Sequence, residues 1–201
     1  MLAMIFLSGA CGTLFRPTVQ RPPARVSPSP DATTPFRLVP VLILGDSITV
    51  GARDIGELQG LLAGSGWNAE IVAQIGVGVP WAKQQVAPRL VVPQIVVLEL
   101  GTNPSPLIDD FESDVHTLID ALVARGARHI IWIQPEARDP MEYAEKDAVI
   151  ARAVSSHVHV SGWGAKLEQN PQWFGADPHL TQEGYRELAL FMTEELRPLH
   201  G

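Results

Sequence analysis

Four short stretches of this sequence hold residue types that could act together as a nucleophilic site. Gly45-Asp46-Ser47-Ile48-Thr49-Val50-Gly51 offers a serine beside a glycine. A serine hydroxyl is a poor nucleophile until an adjacent base takes its proton. Asp177-Pro178-His179-Leu180-Thr181 offers that base in His179, and Asp177 is a carboxylate that could fix the imidazole tautomer. Gln74-Ile75-Gly76-Val77-Gly78-Val79 offers glycine backbone N–H groups that a developing oxyanion could approach, with Gly76 the first candidate and Gly78 the alternative. Gly101-Thr102-Asn103 adds a side-chain amide donor in Asn103. Taken singly, each stretch has a plainer reading: a helix-capping serine, an ordinary loop, an Asn103-Pro104 turn, a solvated histidine. A dinucleotide fingerprint is excluded at Gly76 because no third glycine follows at the required spacing.

The elements that must position these residues alternate strand and helix. Val39–Leu44 is a continuous apolar run rich in branched residues, too short for a helix, and predicts a buried strand. Ala69–Ala73, Gln94–Leu100, His129–Ile133 and Val158–Ser161 predict four more strands. Helices are expected over Ala52–Ala63, Trp81–Leu90, Leu107–Arg125 and Glu142–Ser155, and from Thr181 to about Leu196. For 107–125, Ser105 is the expected N-cap and Pro106 the first helical residue, with apolar positions at 107, 108, 111, 115, 118, 119, 122 and 123. This alternation predicts a three-layer α/β/α domain of flavodoxin-like type with a mostly parallel five-stranded sheet. In such folds the ligand crevice lies outside the carboxyl ends of the strands. Three of the four stretches directly follow the first three strands, and the fourth precedes the last helix.

In that order the four stretches resemble the SGNH (GDSL) hydrolase family, over about residues 39–197. The resemblance implies that Ser47 is the nucleophile and His179 the general base. It also implies an oxyanion hole of the Ser47 N–H, the Gly76 N–H (or Gly78) and the Asn103 amide. The implied reaction is two-step acyl transfer on an ester through an acyl-enzyme on Ser47, calling for no cofactor and no metal; with no long apolar lid segment visible in the sequence, a short acyl chain is expected. The family usually spaces its acid and histidine as Asp-x-x-His; here Ala176 stands three before His179 and Asp177 two before, so either Asp177 or a main-chain carbonyl could hold the imidazole. An acetyltransferase or deacetylase acting on cell-envelope glycans has the same signature. A non-catalytic binding module is the reading from a different class.

The expected domain boundaries are a signal segment over 1–15, a Pro-rich linker over 16–37 and the hydrolase domain over 38–201. Residues 1–10 are uncharged and mostly apolar, too short to span a bilayer and suited to a signal peptide. Cys11 follows Leu7-Ser8-Gly9-Ala10, which resembles a lipobox and makes Cys11 the expected lipidation site. The linker has no apolar period. These features predict an exported, envelope-facing lipoprotein, touching the membrane only through that anchor. Arg16, Arg21, Arg25 and Arg37 against Asp31 give the first 37 residues a net charge of +3 within a total of −7, so the remainder carries −10. An acidic body argues against nucleic acid as a partner; it is the resemblance that implies a small-molecule or glycan acyl ester. Cys11 is the single cysteine, so no internal disulfide forms. His157 and His159 alternate in HVHV, which reads as a strand with both imidazoles on one face rather than a metal site.

Overall fold

A computed structural model describes residues 38–200 other than Pro106, Pro140 and Asp177. The expected signal segment with Cys11 and the linker to residue 37 lie outside the described residues. Five strands form one sheet in the order β2-β1-β3-β4-β5, every neighbouring pair parallel. They are β1 (Val39–Gly45), β2 (Trp67–Ala73), β3 (Ile95–Glu99), β4 (His129–Ile133) and β5 (Val158–Val160). The central strands are apolar on both faces because helices cover both faces. Val41, Ile43, Ile95, Val97, Ile131 and Ile133 share one core with α1 (Ser47–Asp54), α2 (Leu58–Gly64), α6 (Trp163–Gln169) and α7 (Gln182–Leu196). Leu42, Leu44, Val96, Leu98, Ile130 and Trp132 share the other with α3 (Val79–Val86), α4 (Ile108–Ala124) and α5 (Ala144–Arg152). The result is the three-layer α/β/α architecture and flavodoxin-like strand order. Chain leaves β1 toward one face and β2 toward the other, so the crevice opens where β1 and β3 lie side by side.

Several helices depart from their sequence patterns. The helix expected over Ala52–Ala63 is two helices, and the first begins at Ser47 itself. The break falls at Ile55–Glu57: a Cβ on Gly56 would run into the carbonyls of Tyr185 and Ala52, and Glu57 takes a left-handed φ of 60°. Ile55, which fits the apolar period, is 47% exposed there. Ser105 is not the cap of α4: Leu107 holds that position without a side-chain bond, and the buried stripe starts only at Phe111, followed by Val115, Leu118 and Leu122. Leu107 is 63% exposed. Helices α3 and α5 are displaced or shortened from 81–90 and 142–155 to Val79–Val86 and Ala144–Arg152. Strand β2 begins two residues early because Trp67 is buried, edge-on to His200. The short α6, whose Trp163 stacks on Trp173, carries too brief an apolar pattern to stand out in the sequence. Thr181 does cap α7, accepting from the Gly184 N–H at 3.1 Å.

Two glycines of the α1–α2 segment make opposite predictions. A Cβ on Gly51 would enter the ring of Tyr185, whereas one on exposed Gly60 meets nothing within 4 Å. Gly51→Ala should cost about 1–3 kcal/mol through overpacking, while Gly60→Ala should stabilise by about 0.5–1 kcal/mol through helix propensity. Denaturant titration of both variants checks this.

Beyond β4, the Glu136 carboxylate lies against Gly164 of α6, where a Cβ would collide with it. Burial, then the charges of Asp147 and Glu168, raise Glu136 from 4.5 to about 7. Burial raises Asp147 from 3.8 to about 6 against the opposing pull of Lys146. Both folded values exceed the unfolded ones, so the native state binds more protons between about pH 4 and about pH 7, and stability falls as pH rises through that window. Glu136→Gln should flatten most of this slope in thermal melts recorded across the same range; an unchanged slope would contradict the assignment.

Candidate active site

At the end of β1 the chain turns into α1 within one residue. Gly45 permits the turn, since a Cβ there would collide with the Thr49 side chain. Asp46 is fully buried and caps the helix, its Oδ1 accepting from the Ile48 N–H at 2.9 Å. Ser47 is therefore the first helical residue, placed where backbone N–H groups lack intrahelical acceptors and negative charge is favoured. Its Oγ lies 3.2 Å from Nε2 of His179, 132 residues away in sequence. His179 is carried on a tight loop before α7. The loop is closed by a Phe174–Leu180 bridge, by the Gly175 N–H donating to the His179 carbonyl at 2.8 Å, and by the His179 N–H donating to the Ala176 carbonyl at 2.8 Å. Asp177, the expected triad acid, lies outside the described residues. Among the described residues no aspartate or glutamate forms an ion pair with His179.

The loops after β2 and β3 meet beside this pair. Nδ2 of Asn103 donates to Oδ2 of Asp46 at 3.1 Å and to the Val77 carbonyl at 2.9 Å. Both neighbours can only accept, so the amide nitrogen must face them. Asn103 thus ties the loop after β3 to the cap of α1 and to the loop after β2. Gly76 stands exposed in that second loop with φ +76°, a backbone conformation that favours glycine. Gly78 occupies the N-cap of α3, its carbonyl accepting from Trp81 and Ala82. Gly101 has φ +132°, and a Cβ there would stand 3.0 Å from the Pro135 ring.

Two residues that sequence reasoning passed over complete the setting. Glu99, the last residue of β3, is buried beside Asp46, and its Oε2 accepts from the Thr49 N–H at 3.1 Å and the Thr49 hydroxyl at 2.9 Å. Burial, then the charge of Asp46, hold the Glu99 carboxyl well above the ordinary carboxylate range. A lone acid within the apolar run QIVVLEL was the available signal. Lys146 of α5 donates to the carbonyls of Gly101 at 2.6 Å and Asn103 at 2.7 Å, with its ammonium over the rings of Tyr143 and Phe111. A lysine on a helix carries no such signal, because it ordinarily faces water. Burial lowers the Lys146 pKa, opposed by the charges of Asp46, Asp147 and Glu142.

The carboxyl end of the sheet also carries an acidic hollow of about 350 Å³ lined by Glu136, Asp139, Asp147 and Glu168. A narrow cleft bordered by Glu99, Thr102, Glu136 and Pro178 lies between it and the serine. A wider hollow of about 430 Å³ sits at the opposite end, at the starts of β4 and β5, bordered by His129, His157, His159 and Glu195. None of the four sequence stretches reaches that wider hollow. His157 and His159 alternate with Val158, which faces the α3–α5 core, and Nε2 of His159 lies 3.5 Å from Oε2 of Glu195.

No family model matches the chain, and no curated protein matches it. Solved structures do. The C-terminal catalytic domain of peptidoglycan O-acetyltransferase A from Streptococcus pneumoniae is similar at 19% identity and a TM-score of 0.63, over 81% of this chain and 94% of that one. A psychrotrophic esterase from Pseudoalteromonas is similar at 15% identity and 0.59, over 80% and 97%. A putative lipolytic protein of the G-D-S-L family from Desulfitobacterium hafniense is similar at 13% identity and 0.56, over 78% and 98%. At such identities the likeness is one of architecture, and with the strand order and the serine at the β1–α1 turn it shows that this chain has the fold of the SGNH (GDSL) hydrolases.

Proposed function

We propose that this protein is a serine esterase that hydrolyses short acyl esters through an acyl-enzyme on Ser47. The observation that carries the reading is the 3.2 Å approach of His179 Nε2 to Ser47 Oγ at the carboxyl end of β1. Ser47 Oγ attacks the ester carbonyl carbon as Nε2 takes its proton; the imidazolium then gives that proton to the departing alcohol. Water, deprotonated by His179, cleaves the acyl-enzyme by the same steps in reverse. The Ser47 and Gly76 N–H groups and the Asn103 amide form the oxyanion hole. In the resting site both Nδ2 hydrogens of Asn103 are engaged, one by Asp46 and one by the Val77 carbonyl. The developing oxyanion takes over the second, so this donor strengthens as charge appears, which is the differential binding that accelerates a reaction. Asp177 is the proposed triad acid.

Two of the similar proteins bear on the chemistry. The Pseudoalteromonas esterase is described as inhibited by monoethylphosphonate and the pneumococcal domain as a methylsulfonyl adduct. Both modifying groups derive from electrophiles of the kind a nucleophilic oxygen captures. A second reading, transfer or removal of acetyl groups on envelope glycans, is favoured by the acidic hollow at the carboxyl end of the sheet, whose oxygens suit a hydroxyl-rich alcohol better than an alkyl chain. A two-domain esterase active on acetylated mannans shares the fold, at 14% identity over 81% of this chain and 50% of that one.

The purified chain should hydrolyse p-nitrophenyl acetate and be labelled by a fluorophosphonate probe at Ser47, and Ser47→Ala should abolish both. Absence of labelling in folded protein would sink the hydrolase reading. In the same assay, acetylated product accumulating on an added chito-oligosaccharide faster than free acetate would favour the transferase. We also propose that residues 1–15 direct export, that Cys11 is lipidated and that residues 16–37 tether the domain, supported by the apolar start, the Leu-Ser-Gly-Ala-Cys run and the proline content. Palmitate labelling in a bacterial host should then be lost in Cys11→Ser; equal labelling of both forms would contradict it.

A further inference from the structure

Asp46 and Glu99 are two carboxyl groups buried together at the ends of adjacent strands, with Gly45 registered against Glu99. The Asp46 N–H donates to the Glu99 carbonyl at 3.2 Å, which brings the two side chains together in the same buried space, where each acts on the other's charge. Among the described residues no lysine or arginine forms an ion pair with either. The remaining partners on both sides are donors: the Ile48 N–H and the Asn103 amide on Asp46, the Thr49 N–H and hydroxyl on Glu99. Ionised carboxylates are acceptors only and repel each other, so sharing one buried space favours a proton on one of them. Asp46 is the better site for the charge. It sits at the positive end of α1, accepts a backbone N–H there, and feels the field of His179.

We propose that Asp46 and Glu99 share one proton, held on Glu99, and that the single negative charge left on Asp46 orients Asn103 and supports the imidazolium that forms on His179. Both are positioning residues, and the catalytic half of this inference rests on the esterase reading. When His179 accepts the Ser47 proton it becomes a cation, and Asp46 is the buried carboxylate whose charge acts on it through space. A second negative charge on Glu99 would oppose the oxyanion forming a few residues away. Keeping Glu99 neutral preserves the Asp46 charge without adding that penalty. The other titratable groups facing the pair are Lys146 from α5, Tyr185 from α7 and Glu136 after β4.

Glu99→Gln is the discriminating variant. Its amide nitrogen can donate to Asp46 while its oxygen accepts from Thr49, which reproduces protonated glutamate with no proton to lose. Infrared spectra in heavy water read the proton without reference to activity. At pH about 9 an un-ionised carboxylic C=O band from Glu99 should persist in the wild type; Glu136, at about 7, and Asp147, at about 6, are ionised there and do not supply it. The band should vanish in Glu99→Gln. On p-nitrophenyl acetate, Glu99→Gln should keep kcat at pH 7 within about threefold and lack the decline above about pH 9 that loss of the Glu99 proton should cause in the wild type, whereas Asp46→Asn should lower kcat by roughly 10²-fold. A wild type without the band, or a band that survives in Glu99→Gln, overturns the shared proton. A folded Glu99→Gln that loses more than about 10²-fold in kcat, or that keeps the wild-type alkaline limb, overturns the catalytic half. Should Glu99→Gln fail to fold, the band in Glu136→Gln at the same pH decides, its absence overturning the proposal. If no form of the protein shows turnover, the esterase reading fails while the infrared result still settles the proton.

Discussion

The site depends on a buried carboxylate at the turn from β1 into α1. Asp46 must satisfy its oxygens inside the protein, since an unpaired buried charge costs several kcal/mol. It does so by drawing in the Ile48 N–H, the Asn103 amide and the Glu99 carboxyl. Each of these partners belongs to a different part of the crevice: the helix that opens with Ser47, the loop after β3, and the end of β3 itself. Satisfying one charge therefore fixes where the serine stands relative to the proposed oxyanion donors. Gly45 follows from the same constraint, because Thr49 must come close enough to bond Glu99 and leaves no room for a Cβ at the preceding turn.

Around that centre the parallel sheet does the convergent work. Ser47 follows β1, the Gly76–Gly78 loop follows β2 and Asn103 follows β3, so three loops far apart in sequence emerge at one end. Asn103 joins all three through two hydrogen bonds. Lys146 then holds the third loop from behind, exchanging its hydration for two carbonyls and two aromatic faces. His179 arrives from the far end of the domain, on a loop fixed by its own backbone bonds and by the Thr181 cap of α7.

How much of this was legible in the sequence follows from which interactions are local. The strands were, because continuous apolar runs such as Val39–Leu44 and His129–Ile133 report burial on both faces. The Thr181 cap was, because a cap is a contact within three residues. The break at Ile55–Glu57 was not: it is imposed by Tyr185, some 130 residues on, while the local period runs straight through it. Ser105 failed as a cap because the loop that carries Asn103 takes a longer path before α4 begins. Ser47, Asn103 and His179 could be picked out by residue type and place in the strand–helix order. Glu99 and Lys146 could not be given roles, because those roles consist of partners supplied by other elements.

The same division separates chemistry from substrate choice. The acid pair, the serine, the histidine and the amide are linked by hydrogen bonds and by the β1–α1 turn, and a change that breaks one of those bonds disturbs the others. The surfaces a substrate meets first are not so tied. Ile75 and Leu107 stand exposed on the loops after β2 and β3, and Met141 beyond β4. Across the narrow cleft, the hollow is lined by the exposed Asp139 and Glu168 and the half-buried Glu136 and Asp147. Apolar side chains of the first kind would suit an acyl group and carboxyl groups of the second a hydroxyl-rich alcohol. On the proposed acyl-transfer reading, discrimination between water and a sugar as acceptor would reside in residues that can change without touching the buried charge beside the proposed nucleophile.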